Sequence, residues 1–111
     1  MVARSRTSDE VLAARRSVDE ADATVTEKAE MLMEMAMGIQ QKPKSIDDLL
    51  AAVDLYEEAL GLCGDADVLL GARIRARMST ALMSIPSEDA TYLDRAREAM
   101  DVAIATISAE G

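Results

Sequence analysis

Among the apolar residues between positions 10 and 25, Val11, Ala14, Val18, Ala21 and Val25 form a regular series. They step by three and four, the period of one helical face. Thr7 and Glu10, three apart, fit a capping box, and Ser8 and Asp9 add acceptors nearby. This predicts a first helix over 7–25, preceded by a flexible arm over 1–6. Its apolar side chains are small, and Arg15, Arg16, Asp19, Glu20 and Asp22 occupy the other faces. Such a helix is weak alone and needs a neighbour. It is expected to pack on the second helix as a cap. No Gly or Pro separates the two, so one can run into the other.

Thr24 and Glu27 offer a second capping box, starting a helix over about 27–41. Met31, Leu32, Met33, Met35, Ala36, Met37 and Ile39 make it apolar on nearly every side, the mark of a helix buried by more than one neighbour. Pro43 ends it, because proline disfavours helical geometry in the residue before it. Ser45, Asp47 and Asp48 start a third helix reaching Cys63, with an apolar stripe of Leu49, Ala52, Val53, Tyr56, Ala59, Leu60 and Cys63. Gly64 suits a left-handed stop after it. Asp65 or Asp67 caps a fourth helix ending near Ser84, before Pro86. Ser87, Glu88 and Asp89 begin a fifth over about 87–108, with acidic side chains suited to the helix dipole. Sequential helices on short connections lie antiparallel. The expected architecture is all-α: five helices, with the second and third forming one hairpin (27–64) and the fourth and fifth another (67–108), stacked in a single domain over 7–111.

The two hairpins repeat each other. Ala29, Met31, Met35, Ile39 and Pro43 fall on Ala72, Ile74, Met78, Leu82 and Pro86, 43 residues on. One added loop residue carries the match to Leu49 on Leu93, Ala52 on Ala96, Tyr56 on Met100 and Ala59 on Ala103. A fixed internal period is the signature of stacked helical repeats. Within each unit the first helix carries large, large-small, large residues: Met31 or Leu32, Met35-Ala36, Ile39; then Ile74, Met78-Ser79, Leu82. The second carries small, bulky, small: Ala52, Tyr56, Ala59; then Ala96, Met100, Ala103. This spacing resembles the tetratricopeptide repeat over most of the chain. The period is longer than the family's ~34 residues, the opening Trp is missing, and two units are fewer than the ~3 that usually make a stable array.

The resemblance implies right-handed superhelical stacking, with the first helix of each hairpin lining a concave groove. Carried onto this chain, the groove residues are Glu30, Met33, Glu34, Met37 and Gln40 from the first unit. From the second they are Arg73, Ala76, Arg77, Thr80 and Met83. These positions fall between the core positions of the repeat. Arg73 and Arg77 share a face one turn apart and resemble half of a clamp for a peptide's terminal carboxylate. The other half would need polar or basic residues where Met33 and Met37 stand. The expected arrangement is that the two arginines pair with Glu30 and Glu34. Thioethers suit Cu(I), but alternate residues of a helix point to different sides, so the methionines are not expected to form a metal site. Met31 and Met35 read as core. Met33, Met37 and Met83 read as a soft contact strip able to adapt to a partner.

Composition narrows the class of function. Half of the 111 residues are hydrophobic, yet only 2% are aromatic, and twenty are Ala. Helix formers dominate, and Ala at contacts allows close helix approach. The net charge is −9, which disfavours nucleic acid as a partner. There is no apolar run long enough to span a membrane. The basic start has no apolar segment behind it, as a secretory signal would need. Cys63 is the single cysteine, excluding an internal disulfide and fitting a reducing cytoplasm; it reads as an inert packed residue. With no His, no Gly-rich phosphate loop and no nucleophile elbow, neither a catalytic residue nor a cofactor is expected. The expected role is a non-enzymatic adaptor that holds a peptide or helix of another protein. The alternatives are a self-associating module, a homodimer through the Met face, or a stabilising accessory subunit of a larger complex.

Overall fold

The computed structural model describes residues 6–63, 67–86 and 90–110, and five helices account for most of them. They are α1 (Arg6–Glu20), α2 (Val25–Gln41), α3 (Ile46–Cys63), α4 (Val68–Met83) and α5 (Thr91–Glu110). No strand occurs among the described residues. Consecutive helices pack on each other: α2 on α3, α3 on α4, and α4 on α5. The result is two stacked hairpins. α1 lies against both α2 and α3, rather than on α2 alone, and buries Val18 completely.

The first helix departs from expectation at both ends. It is already helical at Arg6, so Thr7 and Glu10 lie within the helix, past the start that the capping box predicts. It stops at Glu20, although the apolar period runs on through Ala21 and Val25. The stop has a local cause. Thr24 is extended (φ −69°, ψ 164°), and its hydroxyl accepts a hydrogen bond from the Glu27 N–H at 3.1 Å. The Glu27 carboxylate in turn accepts from the Thr24 N–H at 3.1 Å. A reciprocal box satisfies two donors that a continuous helix would have bonded otherwise. The Lys28 ammonium donates to the Asp19 carbonyl at 3.2 Å, tying the end of α1 to the start of α2.

Of the two candidate caps for α4, Asp67 is seen to act, accepting from the Leu70 N–H at 3.0 Å. Asp65, the Gly64 stop and the start at Ser87, Glu88 and Asp89 lie outside the described residues. At the head of α3 the Asp48 carboxylate accepts from the Lys44 N–H at 2.7 Å.

α3 is the central helix, touching α1, α2 and α4. Its whole stripe is buried or half-buried, and Ala51 and Leu55 are buried besides. α2 was expected to be enclosed on nearly every side, but Met31, Met35, Met37 and Ile39 are half-buried and Glu34 and Gly38 are exposed. Small side chains stand where helices approach: Ala29, Ala36, Ala52, Ala59, Ala96 and Ala103 are all buried. Ser79 takes such a place on α4, and its hydroxyl donates to the Ala96 carbonyl of α5 at 2.8 Å. On the surface, adjacent residues of α3 reach opposite ways. Glu58 pairs with Arg15 of α1, and Glu57 with Arg95 of α5. Exposed pairs of this kind contribute roughly 0–1 kcal/mol each.

Candidate functional site

The first helices of the two hairpins, α2 and α4, meet at their C-terminal ends through a chain of polar groups that begins in the core. Tyr56 of α3 is fully buried, and a buried phenol needs a hydrogen-bond partner. Its hydroxyl donates to Gln40 Oε1 at 2.7 Å. The same amide donates from Nε2 to Thr80 Oγ1 at 2.7 Å. Thr80 Oγ1 then donates to the Arg77 carbonyl at 2.6 Å. Two of these bonds join α3 to α2 and α2 to α4, and the third stays within α4. Burial pushes the Tyr56 pKa up, and the nearby Arg77 charge pulls it partly back. The phenol is therefore a proton donor throughout the neutral range.

Over this junction lies a hollow of about 210 Å³ lined by Met37, Gln40, Gln41, Arg77 and Thr80. Small-molecule sites usually run to ~300–1,000 Å³, so this space suits one or two side chains of a peptide. Met37 supplies an apolar wall, the two amides supply donors and acceptors, and Arg77 supplies charge. Arg73 stands one turn before Arg77 on the same face, and both are exposed.

The expected pairing of Arg73 and Arg77 with Glu30 and Glu34 is not formed. All four side chains are exposed, and Glu58 and Glu57 of α3 pair with Arg15 and Arg95, not with these arginines. α2 packs far more on α3 than on α4, so equivalence in the repeat does not bring these charges within reach.

Met33 needs a second correction. It is 4% exposed and belongs to the core. It stands four residues after Ala29 and three before Ala36, on the buried stripe of α2. The anticipated methionine strip therefore keeps only half-buried Met37 and Met83, which is 54% exposed. Ala76 is half-buried. Gln40 and Thr80 do lie between the two hairpins, bonded to each other, so they form a floor.

The repeat pattern does not mark Gln41, which lines the hollow, and it places Tyr56 in the core without its polar role. The signal for Tyr56 was present, since a tyrosine on a helix stripe brings a hydroxyl that must be satisfied. Cys63 is buried. Among the described residues no group of three or more His, Cys, Asp or Glu is placed to hold a metal, and no helix is long and apolar enough to cross a membrane. Comparison with protein-family models, curated proteins and solved structures gives no match. The tetratricopeptide resemblance accordingly rests on residue spacing alone.

Proposed function

We propose that the chain is a non-enzymatic, tetratricopeptide-like adaptor that holds a peptide of another protein across α2 and α4. The observation that carries this reading is the exposed Arg73–Arg77 pair, unmatched by any described acid, beside a hollow with an apolar wall at Met37 and amides at Gln40 and Gln41. An arginine fork donates two hydrogen bonds to a carboxylate. The net charge of −9 repels a long acidic tract, so the arginines suit one carboxylate, such as a peptide's C-terminus, with an apolar side chain entering beside Met37. The buried lone cysteine agrees with a cytoplasmic setting.

The test uses arrayed peptides of varied sequence, each with a free or an amidated C-terminus. Binding should favour free carboxylates and fall by about tenfold or more in the Arg73→Glu/Arg77→Glu variant, the loss of one charge-assisted contact or more. Both sites are exposed, so helicity should not change. Equal binding of both peptide classes by parent and variant would rule the groove out.

A further inference from the structure

Positions on α3 and α5 that lie 44 residues apart occupy matching places in the two hairpins. On α3, one face is formed by Leu49, Val53, Tyr56, Leu60 and Cys63. It is covered by the rest of the fold, and Gly71 of α4 lies against Leu60 and Cys63, where an added Cβ would stand 4.0 and 3.9 Å from their side chains. The matching positions on α5 are Leu93, Arg97, Met100, Ile104 and Ile107. Among the described helices α5 packs its backbone on α4, through buried Ala96, Ala99 and Ala103, and reaches α3 through the Arg95–Glu57 pair. No described helix covers the matching face: Leu93 is 56%, Ile104 55% and Ile107 48% exposed. Leu93, half-buried Met100, Ile104 and Ile107, along about two turns either side of Met100, form an apolar stripe that Arg97 borders.

We infer that this stripe is an interface on which α5 of a second copy lies antiparallel, about a two-fold axis at Met100. The stripe is complementary to itself. Leu93 and Ile107 each stand seven residues from Met100, so the axis sets each Leu93 against the second copy's Ile107. Arg97 and Asp101 lie one turn apart along the exposed edge of the stripe. Antiparallel helices bring like edges together, which sets each Arg97 beside the second copy's Asp101, twice over. The fold already seats an antiparallel helix, α4, on the matching face of α3. At the other end of the stack, α1 covers α2 and α3, so copies cannot add head to tail and the assembly closes as a dimer. The interface is separate from the α2–α4 hollow and does not depend on the adaptor reading.

Sedimentation equilibrium of the full chain, from low to high micromolar, tests this. The mass should rise to twice 11.9 kDa. Ile104→Glu buries a carboxylate in the apolar stripe and should raise the dimer dissociation constant by about a hundredfold. Its circular dichroism should stay that of the parent, because Ile104 is exposed in the single chain. Arg97→Asp and Asp101→Arg should each weaken the dimer, and the two together should restore it. Arg73→Glu/Arg77→Glu should leave it unchanged. A parent that stays monomeric over the whole range, a dimer that Ile104→Glu leaves intact, or a charge-swapped double variant weaker than either single one would overturn the assignment.

Discussion

Tyr56 shows how one atom can decide what a helical stack holds together. The ring fills the core, but the hydroxyl reaches Gln40 and through it Thr80, joining both hairpins at a single point. Tyr56→Phe keeps the ring and removes the first bond. The Gln40 oxygen it leaves lies in a half-exposed side chain that water can reach, so the loss should be about 1 kcal/mol in urea unfolding. The same change should alter the alkaline limb of stability. Burial raises the folded pKa of this phenol above its value in the unfolded chain. The unfolded chain then loses the proton first, and stability falls as pH rises through and beyond about 10. A pH series of unfolding curves should show a steeper alkaline loss in the parent than in Tyr56→Phe. Equal slopes would mean that Tyr56 does not titrate differently in the two states.

At the scale of helices, the small-residue spacing was readable because it reflects contact. Ala52, Ala59, Ala96, Ala103 and Ser79 all stand at helix approaches, where a larger side chain would hold the partner off. The break between α1 and α2 was harder to read. Val11, Ala14, Val18, Ala21 and Val25 keep one period across it, and only the Thr24–Glu27 box marks the boundary. Thr24→Ala should therefore cost about 1 kcal/mol and weaken the definition of the break, seen as faster amide exchange at Glu27 and Lys28. Glu27 adds a pH signature. Bonds from Thr24 lower its folded pKa, so the folded state keeps the charge where the unfolded chain binds a proton. That contribution is present above the ordinary glutamate value of 4.5 and is lost as pH falls through the lowered one. Glu27→Gln, which keeps an acceptor for the Thr24 N–H but does not titrate, should flatten this part of the acid limb. The site residues were less legible for a different reason. Repeat equivalence gives an angle around a helix but no distance between helices, so it put Glu30 and Glu34 opposite arginines they do not reach. An almost wholly apolar α2 likewise could not reveal that Met33, and not Met31 or Met35, is its most buried methionine.

For the whole molecule the question is what supports the two described hairpins. α1 supplies part of the answer, because it lies across both α2 and α3 at the end opposite α5. Val18 alone, fully buried, contributes roughly 1.5–3 kcal/mol of apolar burial. Small domains have only about 5–15 kcal/mol in total, so that is a large share. A chain starting at Thr24 should lose at least as much, with a clearly lower urea midpoint than the parent. Its association should change too. Without α1 the chain exposes an α2 and α3 surface at one end while keeping the bare α5 stripe at the other. Two unlike sticky ends allow head-to-tail contacts that never close. The truncated chain should then form open-ended assemblies whose mass keeps climbing with concentration past that of a dimer, and Ile104→Glu in the truncated chain should stop the climb. A truncated chain that unfolds at the parent's urea midpoint would show that α1 contributes nothing and that the two hairpins support themselves.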